Sequence, residues 1–135
     1  MARMKSEGLD AVIEQMKALD EQMNGELADS MLDAAAAVVV DAWKKSIEKH
    51  GHVDTGAMLK SVKAVNKNGA DKRRDVFPQG KDKKGVRNAE KAFILHYGTS
   101  SISGDHWVDD AEASSADKAV EAMADVLTNN IERND

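Results

Sequence analysis

The segment Glu26–Lys49, ELADSMLDAAAAVVVDAWKKSIEK, decides the fold of this 135-residue chain. Its apolar residues recur at the three- and four-residue spacing of an amphipathic helix, and its alanines allow close packing against a helix or a sheet. The consecutive valines Val38–Val40 cannot all lie on one narrow stripe, so we expect burial on more than one side. Gly51 follows the segment and predicts its end, because glycine tolerates the left-handed conformation there.

Two more long helices are predicted towards the ends of the chain. The first covers residues 6–23 and ends at Asn24–Gly25, and we expect residues 1–25 to be peripheral. The last helix begins near Val108. The apolar stripe of the first helix is Leu9, Val12, Ile13, Met16, Leu19 and Met23, and that of the last is Ala116, Val120, Met123, Leu127 and Ile131.

The middle of the chain predicts shorter elements. Asp54 or Thr55 can cap a short helix that carries Met58 and Leu59. Two strands, VKAVN and RRDVFP, then flank the turn sequence NKNGAD, and Pro78 marks the end of the second strand.

A charged loop and a further helix complete the pattern. Residues 71–87 are rich in charge and glycine, and we expect a mobile charged loop. The segment AEKAFILHYG predicts a helix capped by Asn88 and ended by Gly98, although its composition also suits a strand. The chain is therefore expected to be one α+β domain, residues 1–135, with long N-terminal and C-terminal helices packed on a small antiparallel β-sheet in the middle.

Composition narrows the functional classes. The chain has no cysteine, so disulfides and thiol catalysis are excluded, and no apolar run approaches the ~20 residues of a membrane span. Charge is uneven: residues 60–91 hold eleven Lys and Arg against four Asp and Glu, whereas the rest holds eight against twenty. A basic middle between acidic ends can bind a polyanion or the acidic part of another copy, or can simply be solvated.

The stretch Ala92–Trp107, AFILHYGTSSISGDHW, gathers the residue types of a reactive site. Its two histidines, with His50 and His52, could hold a metal ion, but the H-x-H spacing is weak on its own. Ser101, His106 and Asp105 could be considered for a Ser–His–Asp catalytic triad, but the segment lacks the G-x-S-x-G turn that presents a nucleophilic serine. Adjacent Asp and His residues also do not easily form the hydrogen bond that orients the histidine of a triad. No Gly-Lys-Ser/Thr follows GTSSISG, so it is not a phosphate loop. We therefore expect no catalytic, cofactor or metal site, and no enzyme.

The same stretch is better interpreted as a positioned connector at a subunit contact. Trp107 stands between a polar turn and a helix, where an interface anchor is plausible. The residues expected at an assembly interface are Trp107, Tyr97, Thr99 and Ile102. Those expected to line a channel or face a partner are the cations Lys72, Arg73, Arg74, Lys81, Lys83, Lys84 and Arg87.

The order of four segments resembles that of the tail-component family of long-tailed bacteriophages. These segments are VVVDAWKKSI, VDTGAMLKSV, the predicted hairpin and RNAEKAFILHYGTSSISGDHWVDDA. A TG-x-L-x-x-S type of segment is matched by Thr55, Gly56, Leu59 and Ser61. An A-x-x-x-x-x-G-T type of segment is matched by Ala92, Tyr97, Gly98 and Thr99. The prolines that usually follow are replaced by SGDH, and the aromatic residue is kept as Trp107. The resemblance covers roughly residues 30–130.

The resemblance implies a structural virion protein that is made in the bacterial host cytoplasm and has no cofactor. It implies a head–tail joining or tail-completion subunit of the neck, assembled as a ring, hexameric by family resemblance. The ring would contact the head connector or stopper and the tail tube or tail terminator, and DNA would pass through it without sequence recognition. The alternative is a small nucleic-acid-binding module that uses the basic segment 60–91.

Overall fold

The computed structural model describes residues 6–23, 25–68 and 72–133, which fold into five helices and one two-stranded sheet. The α+β prediction is confirmed, and so is the choice of helix for AFILHY. The predicted stop at Asn24 and the tip of the predicted turn, residues 69–71, lie outside the described residues. The elements are α1 (Ser6–Met23), α2 (Glu26–Lys49), α3 (Ala57–Ser61), β1 (Val62–Asn68), β2 (Lys72–Pro78), α4 (Asn88–Tyr97) and α5 (Trp107–Arg133).

The most extensive packing in the chain joins α2 to α5, which run antiparallel. The end of α2 meets the start of α5, where the Ser46 hydroxyl donates to the Trp107 carbonyl at 2.6 Å. At the other end, Leu27 and Val126 line one cleft. Small residues on the two helices allow the close approach that the alanines of α2 predicted, with the buried Ala42 and Ser46 of α2 lying beside the buried Ser115 of α5.

The β-hairpin packs on α2, with both strands in contact with that helix. The strands are antiparallel, in a register that pairs Val62 with Pro78 and Asn68 with Lys72. Val62 and Pro78 are both buried at the base of the hairpin, and β2 ends at Pro78 as predicted. The base of the hairpin is therefore held in the core, where α2, α3 and α4 converge.

One apolar cluster holds these elements together. Its buried members come from four of the helices and the start of β1: Ile47, Met58, Val62, Ala92 and Trp107. Trp43 of α2 packs against the cluster, with its ring edge-on to Trp107 at 5.2 Å between centroids. The contact of the buried Trp107 with the partly buried Trp43 supplies apolar area that a chain with 4% aromatic residues otherwise lacks.

Two predicted helix caps are wrong. Gly56, not Asp54 or Thr55, occupies the cap position of α3, with a left-handed φ of 83°, and the Thr55 hydroxyl only accepts the Ala57 amide at 3.3 Å. Asn88 is the buried first residue of α4 and makes no cap hydrogen bond. Its side-chain amide instead donates to the Gln79 carbonyl at 2.8 Å, because the preceding loop folds back over it.

The α1 helix makes its principal contact with α2. Its apolar stripe is largely exposed in the subunit, from 40% for Ile13 to 66% for Met16. Within the described residues, no helix is apolar and long enough to span a bilayer.

Candidate functional site

The connector between α4 and α5, residues 98–106, contains a close crossing of two glycines. Gly98 ends α4 as predicted, with φ 84°, and its backbone lies against Gly104. A Cβ on Gly98 would lie 2.5 Å from the Gly104 nitrogen, closer than side chains tolerate. The amides of Asp105 and His106 then donate back to the carbonyls of Leu95 and His96, so the connector returns along α4.

The hydroxyl-rich turn at the tip of the connector is closed by Thr99. Its hydroxyl accepts the amides of Ser101 and Ile102 at 3.2 and 3.1 Å, and its own amide donates to the Ile102 carbonyl at 2.7 Å. A threonine whose hydroxyl and amide both form hydrogen bonds within its own turn stabilises that turn. The Ile102 side chain remains 46% exposed.

Two histidines just beyond the end of α2, His50 and His52, fasten the connector to the core. Asp105 Oδ2 lies 2.6 Å from His52 Nε2 and 3.1 Å from His50 Nδ1, while His50 Nε2 lies 2.6 Å from Asp110 Oδ2. The two imidazole rings stack at 6.0 Å. No local pattern predicts this cluster, because its histidines and carboxylates are more than fifty positions apart along the chain.

The first turn of α5 is capped from the connector and from α4. Asp105 Oδ1 accepts the Trp107 amide at 3.1 Å, and His96 Nδ1 accepts the Val108 amide at 3.2 Å. The His106 carbonyl accepts the Asp109 amide at 3.0 Å. These hydrogen bonds give partners to the first amides of α5, which have no carbonyl acceptor within the helix itself.

Trp107 is completely buried within its own subunit, so the prediction that it anchors a subunit interface from the surface is wrong. Its indole Nε1 donates to the Ala92 carbonyl at 3.3 Å, and its ring packs on Trp43. A side chain that starts a helix at the end of a tight connector is drawn into the core because α2 and α4 close over it. Trp107 therefore fixes the connector in place.

An apolar patch remains on the outside of the same region. Phe93 and Tyr97 lie one turn apart on α4, are 63% and 62% exposed, and have ring centroids 4.7 Å apart. Thr99 and Ile102 are exposed on the adjoining turn. The patch thus brings together Tyr97, Thr99 and Ile102, which were all predicted at an interface, and adds Phe93.

The four histidines do not converge on one metal site. His50 and His52 form one pair, whereas His96 and His106 form another at 4.8 Å, where Asp109 could offer a third ligand atom. Because His96 Nδ1 accepts the Val108 amide, the neutral ring carries its proton on Nε2, the nitrogen nearest Asp109 at 4.0 Å. A metal ion would have to displace that proton or break the bond to the helix amide, so the pair suits capping better than metal binding.

The three residues considered for a catalytic triad, Ser101, Asp105 and His106, make contacts other than those of a triad. The Asp105 carboxylate contacts His50 and His52, and His106 faces Asp109 at 3.6 Å. The Ser101 hydroxyl lies 3.4 Å from that of Thr99. No Ser–His–Asp relay is formed by these three residues.

The predicted basic surface is divided between internal ion pairs and an exposed loop. Arg74, whose side chain is only 4% exposed, binds Asp29 at 3.0 Å and Asp33 at 2.8 Å on α2. Lys72 also contacts Asp29, and these two cations hold the pKa of that carboxyl below its ordinary value, Arg74 having the larger effect. Arg73 pairs with its neighbour Asp75 at 3.1 Å. Lys72 and Arg74 thus bind the hairpin to α2, and Arg74 is too buried to present its charge to a partner; the partner-facing role expected of Lys72 stays a prediction.

The segment 79–87 carries the remaining predicted cations, and Asp82 organises it. Asp82 Oδ1 accepts the amides of Lys84 and Val86, both at 2.9 Å, and Oδ2 pairs with Lys91 on α4. The ion pair with Lys91, followed by the amide bonds, lowers the pKa of Asp82. The mobility expected of residues 71–87 stays a prediction, although residues 72–78 of that range form β2 and the backbone of 79–87 carries internal hydrogen bonds. The exposed cations on segment 79–87 are Lys81, Lys83, Lys84 and Arg87.

Residues 10–98 match the family model described as "Bacteriophage HK97-gp10, putative tail-component". The match covers more than half of the chain, from α1 through Gly98 at the end of α4. It starts earlier and stops earlier than the predicted resemblance over residues 30–130, leaving out the connector beyond Gly98 and α5. No curated protein and no solved structure matches the chain.

Proposed function

Because this chain belongs to the HK97 gp10-like family of bacteriophage tail components, we propose that it is a neck or tail-completion subunit, forming a ring that joins the head connector to the tail tube. A structural role in the phage tail, a place in the virion and contacts with other virion proteins follow from the family itself. The ring, its hexameric stoichiometry, its position and the passage of DNA belong to the proposal.

The observation that carries the proposal is the apolar patch of Phe93, Tyr97, Thr99 and Ile102. Large exposed aromatic side chains on a firmly held surface are typical of contact sites, because little conformational entropy is lost when a partner covers them. The glycine crossing and the histidine–Asp105 contacts hold this surface from behind. The patch therefore presents a fixed apolar surface to a neighbouring virion protein.

The charge distribution supports a ring that lets DNA pass. The α5 helix carries seven acidic residues against two basic ones, whereas segment 79–87 carries four exposed cations, Lys81, Lys83, Lys84 and Arg87, against one acidic residue. Contacts between unlike surfaces of identical subunits are head-to-tail and close into rings when the rotation allows. The cations that face the channel would attract phosphates without reading base sequence.

Electron microscopy of particles from a phage that lacks this gene, complemented in trans, tests the proposal. We expect separate heads and tails without the chain, joined particles with the wild type, and separate ones again with Tyr97→Ser combined with Ile102→Ser. Val120→Ser, at an equally exposed apolar residue of α5 outside the patch, should restore joining. Normal joining in the absence of the chain would overturn the neck assignment.

The nucleic-acid-binding alternative now depends on fewer residues. Lys72 and Arg74 are bound to α2, so the exposed cations of segment 60–91 are Lys60, Lys63, Lys67 and Arg73, together with the four of segment 79–87. Duplex DNA retention measured across a salt series separates the two functions. A steep salt dependence that disappears when Lys81, Lys83, Lys84 and Arg87 are all changed to serine would favour the alternative.

A further inference from the structure

We propose that the outer face of the β-hairpin, the face turned away from α2, is the surface of this chain that meets the phosphate backbone of duplex DNA. The inference deepens the proposed function, on which it rests, because it assigns the DNA contact to named side chains. The outer face consists of the odd-numbered residues of the two strands: Lys63, Val65, Lys67, Arg73, Asp75 and Phe77.

The alternation of side chains along the strands gives the hairpin two different faces. The even-numbered residues make the inner face, and at the base of the hairpin Val62 and Pro78 are buried in the core. On the outer face, Lys63, Lys67 and Arg73 are all exposed. The strand period of two residues therefore sorts the hairpin cations into an inner and an outer set.

The inner cations are neutralised within the subunit. Lys72 contacts Asp29 of α2 at 3.2 Å, and Arg74 contacts Asp29 and Asp33 at 3.0 and 2.8 Å. These two cations already have acidic partners on α2. The charge that is left for a partner is on the other side of the sheet.

On the outer face, a single carboxylate lies among three cations. Asp75 contacts Arg73 at 3.1 Å, and the Arg73 side chain is still 64% exposed. Among the described residues, Lys63 and Lys67 have no ion-pair partner. The outer face therefore presents a net positive charge to its surroundings.

One cross-strand pair on this face is unfavourable in the subunit alone. Lys67 lies directly opposite Arg73 in the antiparallel register. Side chains in this relationship have Cβ atoms about 5 Å apart, and two like charges so placed destabilise the strand pair. An anion lying over both side chains would remove the repulsion. The pair thus points to an anionic partner.

The composition of the face favours DNA over an acidic protein surface. Four of its six side chains are charged, whereas the centre of a protein–protein contact is depleted in charge. A two-stranded ribbon is also narrow enough to lie against a duplex, whose backbone carries a regular row of negative charges. Lysine and arginine side chains that contact phosphates hold DNA without reading its sequence, which suits a duplex that passes through a ring.

Binding of the purified full-length chain to a fluorescent duplex, measured by anisotropy across a salt series, tests the assignment. Changing Lys63, Lys67 and Arg73 to serine should weaken binding roughly tenfold and lower the slope of log affinity against log salt by about 2. The matched control changes three exposed cations of segment 79–87, Lys81, Lys83 and Lys84, to serine, and should weaken binding less than about threefold.

Three results would overturn the proposal. One is an absence of wild-type binding at low salt, and another is a loss in the control that equals the loss in the hairpin variant. The third is a hairpin variant that binds DNA normally but self-associates less in light scattering, since the face would then meet another copy. These measurements need only the chain and DNA, so they can fail while particle joining still supports the proposed function, and the reverse.

Stability gives a second readout that separates binding from folding. Lys67→Glu places opposite charges across the strands, so it should raise the urea midpoint of unfolding while it weakens DNA binding several-fold. Lys83→Glu, the same charge change at an exposed residue of segment 79–87, should leave both quantities close to those of the wild type. A Lys67→Glu chain that loses stability, or that binds DNA as well as the wild type, would contradict the assignment.

Discussion

The backbones of Gly98 and Gly104 lie in direct contact, so that a Cβ on Gly104 would come within 2.6 Å of the Gly98 nitrogen. We expect Gly104→Ala to destabilise the fold by roughly 3 kcal/mol, because backbone on both sides of the crossing would have to move. Denaturant unfolding measures the loss. Gly8→Ala, in α1 with no atom near its added methyl, is the matched control and should stabilise slightly.

Burial of Trp107 predicts a large difference between two aromatic residues ten positions apart. Trp107→Ala should cost about 3–5 kcal/mol in the free energy of unfolding, since it empties the centre of the core. Tyr97→Ala, at a residue 62% exposed, should change it by no more than about 0.5 kcal/mol. A small loss for Trp107→Ala would show that the indole is not needed by the subunit and would reopen its role at an interface.

The contact of Asp29 with Arg74 and Lys72 predicts a pH dependence. These cations lower the pKa of Asp29 in the folded state, so its stabilising effect is complete above the ordinary aspartate pKa of about 4. The effect is lost as the pH falls through the lower, folded-state pKa. Asp29→Asn should therefore be less stable than wild type at pH 7, and the difference should shrink below about pH 4. Asp117→Asn, exposed on α5, should show no comparable change.

The bonds that Asp82 makes predict how segment 79–87 responds to protease. Asp82→Ala removes the acceptor for the amides of Lys84 and Val86 and the partner of Lys91, so the segment should open. Trypsin should then cleave at Lys83, Lys84 or Arg87 several-fold faster than in the wild type. Glu90→Ala, exposed in the first turn of α4, is the control. Rapid cleavage of the wild type at the same rate would instead support the predicted mobile loop.

Helix positions were predictable because the signal for them is local. The α2 helix runs from Glu26 to Lys49, as its apolar spacing and the following Gly51 predicted. The start of α5 is displaced by one residue, from Val108 to Trp107. Caps were less predictable. At α3, a left-handed Gly56 occupies the cap position expected for Asp54 or Thr55. At α4, the Asn88 side chain binds the Gln79 carbonyl and does not cap the helix.

The candidate site was predictable only in part. Tyr97, Thr99 and Ile102 are exposed together, because a helix that ends at a glycine turn brings its last residues next to the turn. Phe93 was missed, although its four-residue spacing from Tyr97 was the available signal. The cleft between α3, segment 79–87 and α4 was not predicted either, since its lining comes from three separate parts of the chain.

By itself, the sequence determined the helices, the hairpin and the resemblance to a phage tail component, because periodicity, turn residues and short motifs act between near neighbours. Tertiary structure alone decided where the charges and the tryptophan go. Arg74 meets Asp29 and Asp33 across more than forty positions, so part of the basic middle is neutralised within the subunit. Trp107 is enclosed by Trp43, Ser46 and Ala92 from two other helices. Burial and ion pairing depend on which distant residues share a volume, and only the packed chain defines that volume.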